Sequence, residues 1–159
     1  STRELRRQAG QRIKSLSPQR LQVAADFLAY LEERESNLAT EELLRIPGFI
    51  EGFQKAKKRF TKGNSVDWRK FGGMYSVRLL PQADRFYANA DRPLAKKLAR
   101  CFEQLEQNPR THPNITRLKG PFAGYYRFRI GDHRVIYRID ERGRIVIVAI
   151  IAHRSEAYE

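Results

Sequence analysis

The run Ile145-Val146-Ile147-Val148-Ala149-Ile150-Ile151 is apolar at every position and rich in β-branched residues. A strand with no polar face must be covered on both sides, so this segment is expected at the interior of a sheet that other elements sandwich. Two further strand-like runs precede it, Gly124 to Ile130 and Arg134 to Asp140. Gly131-Asp132 and Glu141-Arg142-Gly143 separate the three with hairpin-turn compositions.

Upstream, Tyr75 to Leu80 reads as another strand. Pro81 then opens a short helix carrying Ala83, Phe86 and Tyr87. Asp91 and Pro93 start a longer one, in which Leu94, Leu98, Cys101, Phe102 and Leu105 line one side until Asn108-Pro109. The order is β-α-α-β-β-β, an α+β domain with an antiparallel sheet and two helices on one face.

A two-residue Gly131-Asp132 loop fixes the register of the first hairpin. It sets Ile130 opposite His133, Phe128 opposite Val135 and Tyr126 opposite Tyr137, all facing the helices. The other face then carries Tyr125, Arg127, Arg129, Arg134, Ile136 and Arg138, with Arg129 directly across from Arg134. Like charges opposed across a ladder are unfavourable unless an anion such as a phosphate neutralises them. His153, Arg154 and Tyr158 follow the interior strand and bring an imidazole, a guanidinium and a phenol to the end of the same sheet.

The chain carries 31 Lys and Arg against 18 Asp and Glu, a net charge of +13, which points to a polyanionic partner. No apolar run is long enough for a membrane span and no signal peptide is visible, so a cytoplasmic location is expected. Cys101 is the single cysteine, and His112, His133 and His153 are scattered. Neither a disulfide, a metal nor a cofactor is expected.

Met74, the only methionine, follows Gly72-Gly73 and reads as a second start, dividing the chain into 1–73 and 74–159 with net charges of +6 and +7. The first part is mostly helical. Ser17-Pro18 caps a helix expected to reach about Glu35, with Leu21, Ala24, Ala25, Leu28 and Leu31 at helical spacing. Thr40 starts a second, short helix that Pro47-Gly48 ends or kinks. Phe49, Ile50, Phe53 and Phe60 form an apolar stripe on a third, and Val66, Trp68 and Phe71 are anchors on an extended tail. Such amphipathic helices cannot bury their stripes against each other alone and need a partner surface.

The element order resembles that of the RelE/ParE toxins. So do the strand Tyr125-Tyr-Arg-Phe-Arg-Ile130, the hairpin Gly131-Asp-His-Arg-Val-Ile-Tyr137 and the ending His153-Arg-Ser-Glu-Ala-Tyr158. The resemblance covers nearly all of 74–159. The first part, with its Leu16 to Leu31 helix and its Val66-Asp-Trp-Arg-Lys70 tail, resembles a RelB-type antitoxin. Antitoxins of that type wrap their toxin with helices and a strand.

This resemblance implies a bacterial toxin–antitoxin module whose toxin is a ribosome-dependent endoribonuclease, an mRNA interferase with messenger RNA and the ribosome as partners. Position by position, it implies catalytic roles for Arg127, Arg129, Arg134, His153, Arg154 and Tyr158. RNA contacts are expected from Arg138, Lys119 and Tyr125, and antitoxin anchors at Phe49, Phe53, Phe60 and Trp68. Arginine does not readily give up a proton. Proton transfer therefore falls to His153 or Tyr158, with His153 the better base.

Asp26 to Glu51 holds seven acidic residues against Arg34 and Arg45, enough to cover basic toxin surface. A ParE-like gyrase inhibitor with its antitoxin is the alternative. Arg3, Arg6, Arg7, Arg12 and Lys14 add operator-DNA binding as a secondary activity, and a higher-order oligomer is expected, with antitoxin–toxin contact in cis or in trans.

Overall fold

The computed structural model describes residues 1–59, 65–68 and 73–158, so the Phe60 anchor and Phe71 lie outside the described residues. The chain divides into two compact units, Ser1–Glu35 and Ser36–Glu159.

The first unit holds helix α1 (Thr2–Lys14) and the first part of helix α2 (Pro18–Arg45). Ser1 caps α1 by accepting from the Glu4 N–H at 3.3 Å. Glu4 in the first turn and Arg12 and Lys14 in the last complement the helix dipole. Ser17 caps α2 in the same way through the Arg20 N–H, also at 3.3 Å. No residue of this unit is buried.

Sequence periodicity places a break between Glu35 and Thr40, but α2 runs unbroken to Arg45. Ser36 and Thr40, which read locally as boundary residues, are used in tertiary bonds instead. Ser36 Oγ donates to the Arg117 carbonyl at 2.6 Å. Thr40 Oγ1 donates to Ser36 O at 2.9 Å and accepts from the Lys119 N–H at 2.9 Å. Pro47-Gly48, with Gly48 at φ 78°, ends the helix and redirects the chain into α3 (Phe49–Arg59).

The second unit is built on a six-stranded sheet of β1 (Val66–Asp67), β2 (Ser76–Leu79), β3 (Ile115–Arg117), β4 (Tyr126–Ile130), β5 (His133–Asp140) and β6 (Ile145–His153). Their spatial order is β1-β2-β6-β5-β4-β3. β6 is interior, as its apolar run requires. The hairpin register is the expected one, Ile130 opposite His133, Phe128 opposite Val135, Tyr126 opposite Tyr137 and Arg129 opposite Arg134. Gly131 supplies the positive φ of 55° that this tight turn demands.

Three features depart from the sequence reading. The sheet is mixed, because β2 lies parallel to β6 after the chain returns through α4 (Pro81–Asn89), α5 (Arg92–Gln107) and the other strands. β3 is an additional edge strand on β4, three residues long and too short to show a period. β1 adds to the opposite edge. There the Arg78 guanidinium donates to Ser65 Oγ at 2.5 Å, to Ser65 O at 2.8 Å and to Asp67, and the Trp68 N–H donates to Val77 O at 2.9 Å.

Two cores sandwich the sheet. On one face Phe128, Val135, Tyr137, Val146, Val148 and Ile151 pack on Ala83 of α4 and Leu98, Phe102 and Leu105 of α5. Tyr137 Oη donates to Pro109 O at 2.6 Å and ties the end of α5 to the sheet. On the other face Ile136, Ile147 and Ile150 pack on Leu43 and Ile46, at the end of α2 and just beyond it, and on Phe49 and Phe53 of α3. The compact unit begins at Ser36 rather than at Met74, because Ala39, Leu43, Ile46, Phe49 and Phe53 bury on the sheet and complete its second core. Fully burying one such phenylalanine contributes about 2–3 kcal/mol.

Candidate functional site: the arginine face and its cover

The alternation of β4 and β5 aims Arg127, Arg129, Arg134 and Arg138 away from α4 and α5, onto the face covered by residues 36–59. Arg134 is 4% exposed. Its Nε and Nη2 meet the two oxygens of Glu42, on α2, at 2.6 and 3.2 Å, while Nη1 donates to Gly131 O at 2.8 Å and His133 O at 3.0 Å. Every nitrogen of this guanidinium is engaged, and the Glu42 carboxylate takes its fork in the two-pronged geometry typical of Arg–carboxylate pairs.

Arg127 is also buried, its Nη2 donating to Thr116 Oγ1 on β3 at 3.0 Å, whereas Arg129 is exposed. The Tyr125 ring lies edge-on to Phe53 at 4.7 Å. Burial raises its phenol pKa, partly offset by the charge and hydrogen bond of Arg138. Lys119 is half-buried and joined to α2 through its backbone N–H.

Tyr158 returns along α3. Its N–H donates to Pro47 O at 2.9 Å, and its ring stands edge-on to Phe49 at 5.8 Å over Gly52. A Cβ built on Gly52 would fall 1.9 Å from Tyr158 Cε1, so the absence of a side chain there makes the seat. Burial raises the phenol pKa above its usual value, opposed by the nearby Arg85 charge.

His153 is not on the arginine face, contrary to expectation. It pairs with His133 at the end of β6, and the bulge between Ile136 and Tyr137 leaves both imidazoles on the helix side. The His133 ring is edge-on to His153 at 5.2 Å and to Phe86 of α4 at 5.6 Å. Burial, with the neighbouring His153, depresses the His133 pKa. His153 Nδ1 accepts from the Ser155 N–H at 3.2 Å. Both rings line a cleft of about 670 Å³ with Arg85, Phe86 and Tyr158. Arg154 is exposed and tied to Asp132, Nε to Oδ1 at 3.0 Å.

Among the sequence-selected anchors, Phe49 and Phe53 are fully buried against Phe122, and Trp68 packs on Phe102 at 5.4 Å. Sequence reasoning did not single out Glu42, Thr116 or Asp132. Only Glu42 had a signal, its place in the acidic stretch of α2. Among the described residues no cluster of side chains has the composition of a metal site, and no helix is long and apolar enough to cross a membrane.

The arginine-bearing sheet face is thus covered by α2 and α3 of the same chain, with Arg129 left exposed. The family model described as the ParE toxin of the type II toxin–antitoxin system parDE matches residues 77–158, and the chain belongs to that family. No curated protein matches it in sequence.

Among solved structures, the chain is similar to the toxin–antitoxin complex RelBE2 from Mycobacterium tuberculosis, with 24% identity, a TM-score of 0.44, and coverage of 50% of this chain and 96% of that one. It is also similar to the archaeal RelE–RelB complex from Pyrococcus horikoshii OT3, with 22% identity, a TM-score of 0.46, and 53% and 99% coverage. The YoeB/ParE toxin from Agrobacterium tumefaciens shows 21% identity, a TM-score of 0.45, and 48% and 95% coverage.

Proposed function

We propose that residues 74–159 are an endoribonuclease of the mRNA-interferase type that needs no metal and acts on messenger RNA at the ribosome. In this reading residues 1–73 are its antitoxin segment, and the chain is a restrained nuclease. The observation that carries the proposal is the two-pronged grip of Glu42 on Arg134. A guanidinium fork binds carboxylate and phosphate with the same geometry, so Glu42 stands where a backbone phosphate fits.

In the reaction the ribose 2′-oxygen attacks the adjacent phosphorus and the bond to the 5′-oxygen breaks, giving a 2′,3′-cyclic phosphate and a 5′-hydroxyl. Arg127, Arg129 and Arg134, with Arg154, stabilise the charge that develops on the phosphorane. Tyr158, a phenol that stays protonated at neutral pH, suits proton donation to the leaving oxygen. For His153 to take the 2′-proton, the C-terminal residues must first leave α3 and carry the imidazole around the end of the sheet. The exposed arginines of α1 suit operator DNA as a secondary partner.

The second reading, a gyrase inhibitor restrained in the same way, is favoured by the family whose model matches. The two separate in bacteria expressing the full chain with Glu42→Gln and Gly52→Ala together. Ribosome-dependent message cuts that disappear when Arg134→Ala is added support the nuclease. Intact messages with DNA damage identify the gyrase inhibitor. Unimpaired growth with a folded protein overturns the restraint itself.

A further inference from the structure

Besides the cleft at His133 and His153, the second unit holds a cavity of about 440 Å³ between α3 and α4, lined also by Ala149 of β6 and by Tyr158. From α3 it receives Glu51 and Lys55, and from α4 it receives Arg85, all three exposed. Among the described residues neither Lys55 nor Arg85 is paired with a carboxylate. Burial raises the Tyr158 phenol pKa and the Arg85 charge opposes it, which puts this guanidinium beside the ring. The two cations thus face one cavity from separate elements, where a single phosphate can accept from both. The larger cleft shares Gln82, Arg85 and Tyr158 but adds the carboxylates of Asp91 and Glu156, so an anion is favoured on the α3 side.

We infer that this cavity binds a nucleoside monophosphate, with the phosphate between Lys55 and Arg85, the ribose hydroxyls at Glu51, and the base against Leu80, Ala149 and the Tyr158 ring. The volume lies within the roughly 300–1,000 Å³ of small-ligand pockets and is far larger than a bare phosphate needs. A carboxylate accepts from ribose hydroxyls, and an aromatic ring with apolar neighbours takes a base face of any sequence. The phosphate joins α3, which covers the sheet, to α4 on its other side. The ligand therefore binds only while the cover is seated and stabilises the covered form. None of this depends on what the arginine face does when it is uncovered.

Isothermal titration calorimetry of the full chain with adenosine 5′-monophosphate and uridine 5′-monophosphate tests the assignment, with adenosine and inorganic phosphate as comparisons. One site per chain is expected, together with a Tm that rises with nucleotide concentration. Lys55→Gln and Arg85→Gln should each weaken binding by about tenfold or more, the loss of one charge-assisted contact. Both positions are exposed, and a native circular dichroism spectrum confirms that the variants fold. Adenosine and inorganic phosphate should each bind more weakly than either nucleotide. The inference is overturned by an absence of heat with both nucleotides at millimolar concentration, or by phosphate alone binding as tightly as they do. Binding that survives the Lys55→Gln/Arg85→Gln pair overturns it equally, since it then belongs to other exposed arginines.

Discussion

Glu42 closes both carboxylate oxygens on the guanidinium of Arg134, the most deeply buried arginine of the sheet face, across 92 residues of sequence. The pair joins the acidic stretch of α2 to the centre of the opposed-arginine hairpin. Glu42→Gln keeps the shape and removes the charge, leaving a buried cation beside Arg129. We expect a loss of about 2 kcal/mol in unfolding free energy, the scale of a hydrogen bond to a charged group. Chemical denaturation measures it, and a growth assay on expression should show increased inhibition. Unchanged stability would mean that the carboxylate contributes nothing to holding the cover.

Gly52→Ala tests the seat of Tyr158. The glycine has ordinary helical backbone and alanine is the better helix former, so α3 itself should gain. The added methyl, however, occupies the space of the tyrosine ring. The ring is expected to leave, and with burial removed its phenol pKa should move down toward 10. Spectrophotometric titration of tyrosinate, with Tyr158→Phe as the reference, reads this shift.

Arg144 closes the turn between β5 and β6 at φ 51°, in the left-handed region that disfavours a side chain. Arg144→Gly should raise the unfolding free energy by roughly 1 kcal/mol through relief of that conformation. Calorimetry should show a higher Tm. A decrease would mean that the arginine side chain supports the turn by more than the strain it imposes.

His133 predicts a pH dependence of definite sign. Its folded pKa lies below the ordinary value of 6.5, from burial first and then from His153, with Arg134 adding to the effect and Glu156 and Asp132 opposing it. The unfolded chain therefore takes up the proton first. The contribution of this residue is complete above about pH 6.5 and is lost as the pH falls through the folded pKa. His133→Gln should flatten the Tm-against-pH curve over that window. A curve unaltered by the substitution would assign the acid sensitivity elsewhere.

Much of the toxin domain was legible because its signals are local. The uninterrupted apolar run of β6 could only be interior, and Gly131-Asp132 fixed the register that opposes Arg129 to Arg134. Local signals misled where a polar residue serves a distant partner. Ser36 and Thr40 read as a helix boundary but bond to Arg117 and Lys119, so α2 continues. The three residues of β3 carry too few positions for any period.

The candidate site divides in the same way. By itself the sequence determined which side chains share a sheet face, because strand alternation is a property of the backbone. It therefore placed Arg127, Arg129, Arg134 and Arg138 together. The tertiary structure alone decided what lies against them. The bulge in β5–β6 sends His153 to the helix side, Tyr158 docks over Gly52, and Glu42 reaches Arg134. These outcomes depend on how separate elements pack, and packing between residues far apart in the chain leaves no periodic trace in the sequence.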